Sequence, residues 1–220
     1  MPDQSPPAKP RHIVVLAHPD PDSFNASVAE TYCRAVRECG HEAILRDLYA
    51  MHFSPLLRQD ERPGRRPFLP SPDVEDELNA IKGGDVFVLI YPIWFGTPPA
   101  MLKGYIDRVL GAGVTAKAVQ DRAWHDLLGG KRLLSFTSSA AREPWLAEQG
   151  QTLALRTVFD DYLAHAFGMR PAEHVHFGSI IDGLAPRYIA EHLTMVGDKA
   201  RHICAAITRE KQSTEDSRAI

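Results

Sequence analysis

The stretch DVFVLIYPIWFGTPPAMLKGYIDR, Asp85 to Arg108, constrains this chain more than any other. Val86 to Tyr91 are apolar without a break, too short a run for a buried helix and rich in β-branched side chains, so they read as a strand covered on both faces. Pro92, Gly96, Pro98 and Pro99 then forbid a continuous strand or helix. Ile93, Trp94 and Phe95 nevertheless place large apolar groups in that loop, which an ordinary surface connection would not carry. Leu102, Ile106, Val109 and Leu110 recur at helical spacing, with Pro98 and Pro99 suited to the first turn. An aromatic loop between a buried strand and a helix is where open parallel sheets bind ligands.

The same alternation runs through the rest of the chain. His12 to Ala17 is a short apolar run and reads as the first strand; it ends in the polar loop HPDPDSFNAS. Val28, Ala29, Tyr32, Ala35, Val36 and Cys39 mark one face of a helix that Gly40 stops. Glu42 to Leu48 is the second strand, Ser71 to Lys82 a helix, and Lys131 to Thr137 the fourth strand, running into Ser138, Ser139 and Ala140. A helix from about Gln151 to Phe167, an apolar stretch at Val175 to Phe177 and a last helix from Leu184 to Ile207 complete five strands. The expected fold is therefore α/β: a doubly wound five-stranded parallel sheet with helices on both faces. Residues 1–10 contain four prolines and read as a disordered lead, residues 11–209 as a single domain, and residues 210–220 as a disordered polar tail. Tyr49 to Pro72 breaks the rhythm with five prolines and the basic run Arg58, Arg62, Arg65 and Arg66; a solvated excursion and a lid or partner-binding segment are both open.

Composition narrows the function. A net charge of -3 and a pI near 6.4 give no basic field for a phosphate backbone, so a nucleic-acid partner is not expected. No apolar run reaches membrane-spanning length and no apolar leader precedes the first strand, so the expectation is a cytoplasmic protein without membrane insertion. Cys33, Cys39 and Cys204 show neither disulfide nor zinc spacing, and no metal is expected.

Several motifs have competing readings. Ser23 and Asn25 open a helix that could hold a phosphate on its free amides, but both are also favoured N-caps and Phe24 could staple the helix entry. His18, at a strand end, is read equally as a hydrogen-bonded structural residue and as a ligand contact. GAGVTA, Gly111 to Ala116, matches a dinucleotide fingerprint but follows a helix where the motif requires a strand. His174 and His176 would share one face of a strand; with no third ligand nearby they are read as structural. What remains is one constellation at three strand ends: HPDPDSFN, YPIWFGTP and TSSAAR. An anion site, a flat aromatic wall and small hydrogen-bonding residues describe a pocket for a phosphorylated planar cofactor, with flavin the natural candidate.

At these residues the chain resembles the flavodoxin-like NAD(P)H:quinone oxidoreductase family. HPDPDSFNASV, DLYAMHFSP and above all YPIWFGTPPAMLKGYIDRVL carry the likeness, which covers most of residues 12 to 140. The resemblance implies a homodimer with flavin, FAD or FMN, at the interface. His18, Ser23, Phe24 and Asn25 would hold the phosphate region, Pro92, Ile93, Trp94 and Phe95 would line the isoalloxazine ring, and Thr137, Ser138, Ser139 and Ala140 would hydrogen-bond its polar edge. NAD(P)H would reduce the flavin and leave, and a quinone or similar acceptor would enter the same cleft. The same family includes ancillary subunits of potassium efflux systems, which is the alternative reading, and a one-electron carrier is a third.

Departures from the family pattern bear on the acceptor. Ser139 and Ala140 stand where two glycines are usual, and Val114-Thr115 where an aromatic pair is usual. The family's relay tyrosine and histidine fall near Trp145 and Gln151, neither of which is a general acid. Arg142 is the nearest residue able to stabilise reduced flavin electrostatically, and is the catalytic candidate on that ground.

Overall fold

The computed structural model describes residues 9–121, 125 and 127–218, with side chains described as far as residue 213. Five parallel strands, β1 (Arg11–Leu16), β2 (Glu42–Asp47), β3 (Val86–Pro92), β4 (Arg132–Ser138) and β5 (Glu173–Phe177), form one sheet in the order β2-β1-β3-β4-β5. The sequence order reverses between β1 and β3, which opens a crevice at the carboxyl ends of these strands. The five-stranded doubly wound expectation holds.

Successive residues of a strand face opposite sides, and here both sides are buried. Ile13, Val15, Phe87, Leu89, Tyr91 and Leu133 enter one core. It is shared with α2 (Pro72–Ile81), α3 (Ala100–Tyr105, continued as a wide π-type turn over Ile106–Leu110) and the helical stretch from Gln151 to Ala166. Val14, Leu16, Val88, Ile90, Leu134 and Phe136 enter a second core against α1 (Phe24–Glu38) and α8 (Pro186–Arg218). The continuous apolar runs thus follow from burial on both faces. Short helices α4 (Ala116–Gln120) and α5 (Glu143–Glu148) lie in connections where no helix was expected. α6 (Gln151–Leu155) and α7 (Tyr162–Ala166) are joined by another π-type turn, Arg156–Asp161, so the single expected helix is continuous but widened.

The end of the last helix differs from expectation. α8 does not end near Ile207: it runs to Arg218, so the segment from residue 210 is helical as far as that residue. Glu210 pairs with Arg132 and Arg170, and Lys211 reaches Asp85 at 3.1 Å, which ties this polar extension to the starts of β3 and β4. Of the expected disordered lead, residues 1–8 lie outside the described residues. The Pro/Arg connection is also more fixed than a solvated excursion. Its Glu61 is buried, and both carboxylate oxygens bind the fully buried Arg108 at 2.8 and 2.9 Å. Among the described residues no helix is long and apolar enough to cross a membrane.

Candidate functional site

The loops after β1, β3 and β4 converge on one open cavity of about 500 Å³. From the first come His18, Ser23 and Phe24; from the second Pro92, Ile93 and Trp94; from the third Ser138, Ser139 and Ala140. With Asn25, which also borders the cavity, ten of the twelve expected cofactor contacts are therefore brought together here.

Each loop has a local reason for its shape. Ser23 is the N-cap of α1, its Oγ accepting from the Ala26 amide at 3.2 Å, while the amides of Phe24 and Asn25 have no acceptor within the helix. The Asn25 side chain is spent elsewhere: its Nδ2 donates to Ser138 Oγ at 2.8 Å in a buried bond that ties α1 to the end of β4. The Asp20 amide donates to His18 Nδ1 at 3.1 Å, so the neutral ring carries its hydrogen on Nε2, and the ring lies 5.7 Å from that of Trp94. Phe24 packs edge-on against Phe177 at 5.3 Å, which makes it a structural staple as well as a cavity wall.

The aromatic loop is a tight hairpin. Trp94 and Thr97 exchange two backbone hydrogen bonds of 3.1 Å, and Phe95 and Gly96 between them have φ of 52° and 80°. Positive φ at both central residues is the type I′ arrangement, which favours Asn-Gly and strains a bulky residue in the first place. Phe95 is fully exposed at the tip and does not line the cavity. The expected ring contact from Phe95 is therefore not formed within one chain.

Two further expected residues lie elsewhere. Thr137 is fully buried, turned away from the cavity into the sheet edge. Arg142 stands exposed at the N-cap position of α5 and is not among the residues that line this cavity, so a direct electrostatic role is not supported by its placement.

What Thr137 does is hold two histidines. Its Oγ1 lies 2.7 Å from His174 Nε2 and 2.8 Å from His176 Nδ1. His174 Nδ1 lies 2.5 Å from Asp160 Oδ2, and His176 Nε2 lies 3.1 Å from Ser139 Oγ at the cavity. Ser135 Oγ donates to the other oxygen of Asp160 at 2.6 Å. Asp160 itself is aimed inward by the π-type turn that widens the helix, a feature frequent at functional sites. Burial, with a smaller contribution from His174, pushes His176 down to about 4, so the ring is neutral at physiological pH. Tyr91, buried next to this group, is held well above the usual tyrosine range by burial and by the charge of Asp160. His174 and His176 also border a small pocket with Ile93, Gly96 and Gln151.

Sequence reasoning set these histidines aside because it asked only for a metal triad. Their partners come from β4 and from a helix bulge, and nothing local to HVH reveals them. It also missed the loop after β5, where Ile180, Asp182 and Leu184 close the cavity; the strand-end rule, applied to β5, would have found it.

A model of the family described as having a flavodoxin-like fold matches residues 10–199. The chain belongs to this family. An NAD(P)H oxidoreductase of Haemophilus influenzae, itself uncharacterised, is 29% identical over 204 residues, covering 91% of this chain and 99% of that protein. NAD(P)H dehydrogenase (quinone) 1 of Rattus norvegicus is 31% identical over 151 residues, but the match spans only 60% of this chain and 54% of the rat protein. Among solved structures, the NAD(P)H:quinone oxidoreductase from Methanothermobacter marburgensis superposes with a TM-score of 0.71 at 24% identity, covering 89% of this flavodoxin-like chain and 96% of that one. That likeness bears on the fold, and agrees with the strand order described above.

Proposed function

We propose that this flavodoxin-like protein is a flavin-dependent oxidoreductase that passes reducing equivalents from NAD(P)H to a quinone-like acceptor. The observation that carries the reading is the cavity at the sheet's reversal point, bounded by the loops of β1, β3 and β4 and of a size that suits a flavin nucleotide. The names of the curated relatives at 29% and 31% identity support the reaction class.

The residues present suit the cofactor. The first-turn amides of α1, Ser23 and the Nε2 hydrogen of His18 would receive the phosphate; the cavity's carboxylates, Asp20, Asp22 and Asp182, leave that task to uncharged donors and the helix dipole. Pro92, Ile93 and Trp94 would form the flat wall, and Ser138 and Ser139 the polar side. Bound there, FAD or FMN supplies the hydride chemistry, which no side chain can.

The protein's own contribution is to move a proton. NAD(P)H, a quinone and one proton give NAD(P)⁺ and a hydroquinone. With Asp160 ionised and both imidazoles neutral, every hydrogen of the chain can point inward: Ser139 to His176, His176 to Thr137, Thr137 to His174, and His174 to Asp160. One proton added at Asp160 reverses every bond and turns the Ser139 hydroxyl outward as a donor to the cavity. These two states differ by the one proton that the reaction consumes. The chain thus takes over the work of the family relay positions, which fall near Trp145 and Gln151 here.

A second copy of the chain is part of the proposal. Phe95, Trp145, Leu153, Val158 and Tyr162 leave large apolar groups in solvent, as a homodimer interface would. The test is an absorbance spectrum of the purified protein with the cofactor released and identified as FAD or FMN, repeated after adding NADH or NADPH. A flavin band that bleaches and recovers on adding a quinone is expected. Failure to bind either flavin overturns the reading.

A further inference from the structure

At the opposite end of the sheet from the cavity lies a second chemical cluster. His12 at the start of β1, His41 in the turn before β2 and Cys204 on α8 are all buried. Their donor atoms, His12 Nε2, His41 Nδ1 and Cys204 Sγ, lie within 4.8 Å of one another. Tetrahedral zinc with ligand distances of about 2.0–2.1 Å to nitrogen and 2.3 Å to sulfur needs nitrogen pairs roughly 3.3 Å apart and nitrogen–sulfur pairs roughly 3.6 Å apart. Here His12 Nε2 is 3.1 Å from His41 Nδ1 and 3.8 Å from Cys204 Sγ.

The outer contacts also fit. His12 Nδ1 meets the Tyr32 hydroxyl at 2.9 Å, and His41 Nε2 meets Thr208 Oγ1 at 3.1 Å. If each imidazole gives its hydrogen to that hydroxyl, both inner nitrogens present lone pairs to the centre, the arrangement that supporting hydrogen bonds impose on metal-bound histidines. The Cys204 thiolate would offset part of the charge that a divalent cation carries into the core. Cys39, exposed at the end of α1, is not one of the three clustered donors.

We propose that His12, His41 and Cys204 form a structural site for a soft divalent cation, zinc by its chemistry, which pins α8 to the base of the sheet; its fourth position is left to Cys39 or to water. Linear spacing hides such a site because its ligands come from separate places in the chain. It lies in the core, away from the cavity, and so serves the structure. Binding converts the Cys204 thiol into a thiolate and releases its proton, and a second proton where Cys39 also ligates.

The competing account is a purely hydrogen-bonded histidine pair beside a buried thiol. Cobalt(II) decides between them. Metal-stripped, reduced full-length protein is titrated with Co²⁺, then with Zn²⁺, following visible absorption and proton release. The expected result is one equivalent of Co²⁺ with thiolate charge-transfer and tetrahedral bands, displaced by Zn²⁺, with at least one proton released per Zn²⁺. Cys204→Ser abolishes the bands; Tyr32→Phe, which touches only an outer contact, weakens binding by about 10–100-fold. Wild-type protein without thiolate bands at one equivalent, or bands that persist in Cys204→Ser, overturns the proposal. Cys39→Ser alters an exposed position, so it decides the fourth ligand even if Cys204→Ser does not fold. Flavin content, measured in parallel, is independent of every one of these outcomes.

Discussion

Arg108 and Glu61, 47 residues apart in the chain, form a two-pronged ion pair entirely out of solvent. The guanidinium also donates to the Ser54 carbonyl at 2.6 Å and to Asp73 at 2.7 Å, and sits 5.2 Å over the Phe53 ring. All its donors are directed at acceptors of the long connection and of the first turn of α2. Arg108→Met leaves Glu61 charged and buried without its counter-ion, and is expected to cost about 3–5 kcal/mol. Urea unfolding of the two proteins checks it.

The same group sets an acid limit. Hydrogen bonds from Arg108 and Ser71 outweigh burial and bring Glu61 down to about 2; Arg108 first, then Ser71, does the same for Asp73, also to about 2. Both folded values lie below the unfolded ones, so this stability is complete above roughly pH 4.5 and is lost as pH falls toward 2. Chemical denaturation across that range should show the loss in the wild type and a much flatter profile in Arg108→Met.

His176 titrates in a different window. Its value of about 4 lies below the ordinary histidine value, so the unfolded chain takes up a proton before the folded one does. The contribution is whole above about pH 6.5 and is lost as pH falls toward 4. In His176→Asn this part of the slope disappears, while the lower limb from Glu61 and Asp73 stays.

Substitution in the histidine chain should separate proton delivery from cofactor binding. His176→Gln and Asp160→Asn are expected to bind flavin as the wild type does and to accept reduction by NAD(P)H. Turnover with quinone then falls by roughly a hundredfold, with a changed pH profile and solvent isotope effect. Equal losses in flavin affinity would instead mark these residues as mere scaffolding.

Gly104 owes its identity to Pro55. A β-carbon at residue 104 would stand 2.3 Å from the Pro55 carbonyl oxygen and 2.4 Å from its Cα, both backbone atoms that cannot swing aside. Gly104→Ala should therefore cost about 3 kcal/mol by displacing the connection from α3, read as a lowered melting temperature.

Phe95→Asn has effects of opposite sign. Asparagine tolerates the left-handed backbone that phenylalanine resists, so the isolated chain should gain on the order of 1 kcal/mol. The exposed ring is lost, and self-association measured by sedimentation should weaken.

β1, β3 and the start of β4 were legible because their apolar runs are buried on both faces, whereas β2 carries Glu42, Arg46 and Asp47 and is only partly buried at the sheet edge. β5 was half-seen, since Glu173 and His174 break its apolar pattern while the sheet still uses them. The polar end of α8 was illegible for a related reason: Glu210 and Lys211 look like solvated tail residues until Arg132, Arg170 and Asp85 are placed opposite them. The cavity itself could be read from the strand ends, but the inward turn of Thr137 could not. Which way a threonine at the end of a strand faces depends on partners from β5.

α8 passes both chemical ends of the molecule: Ile189 borders the cavity, Cys204 lies at the base, and Glu210 and Lys211 fasten the helix beyond it. The last described turn of α8, at Arg218, therefore lies away from the cavity. A surface or reporter attached there would leave the mouth of the crevice unobstructed, so the fold comes with a built-in handle for immobilisation.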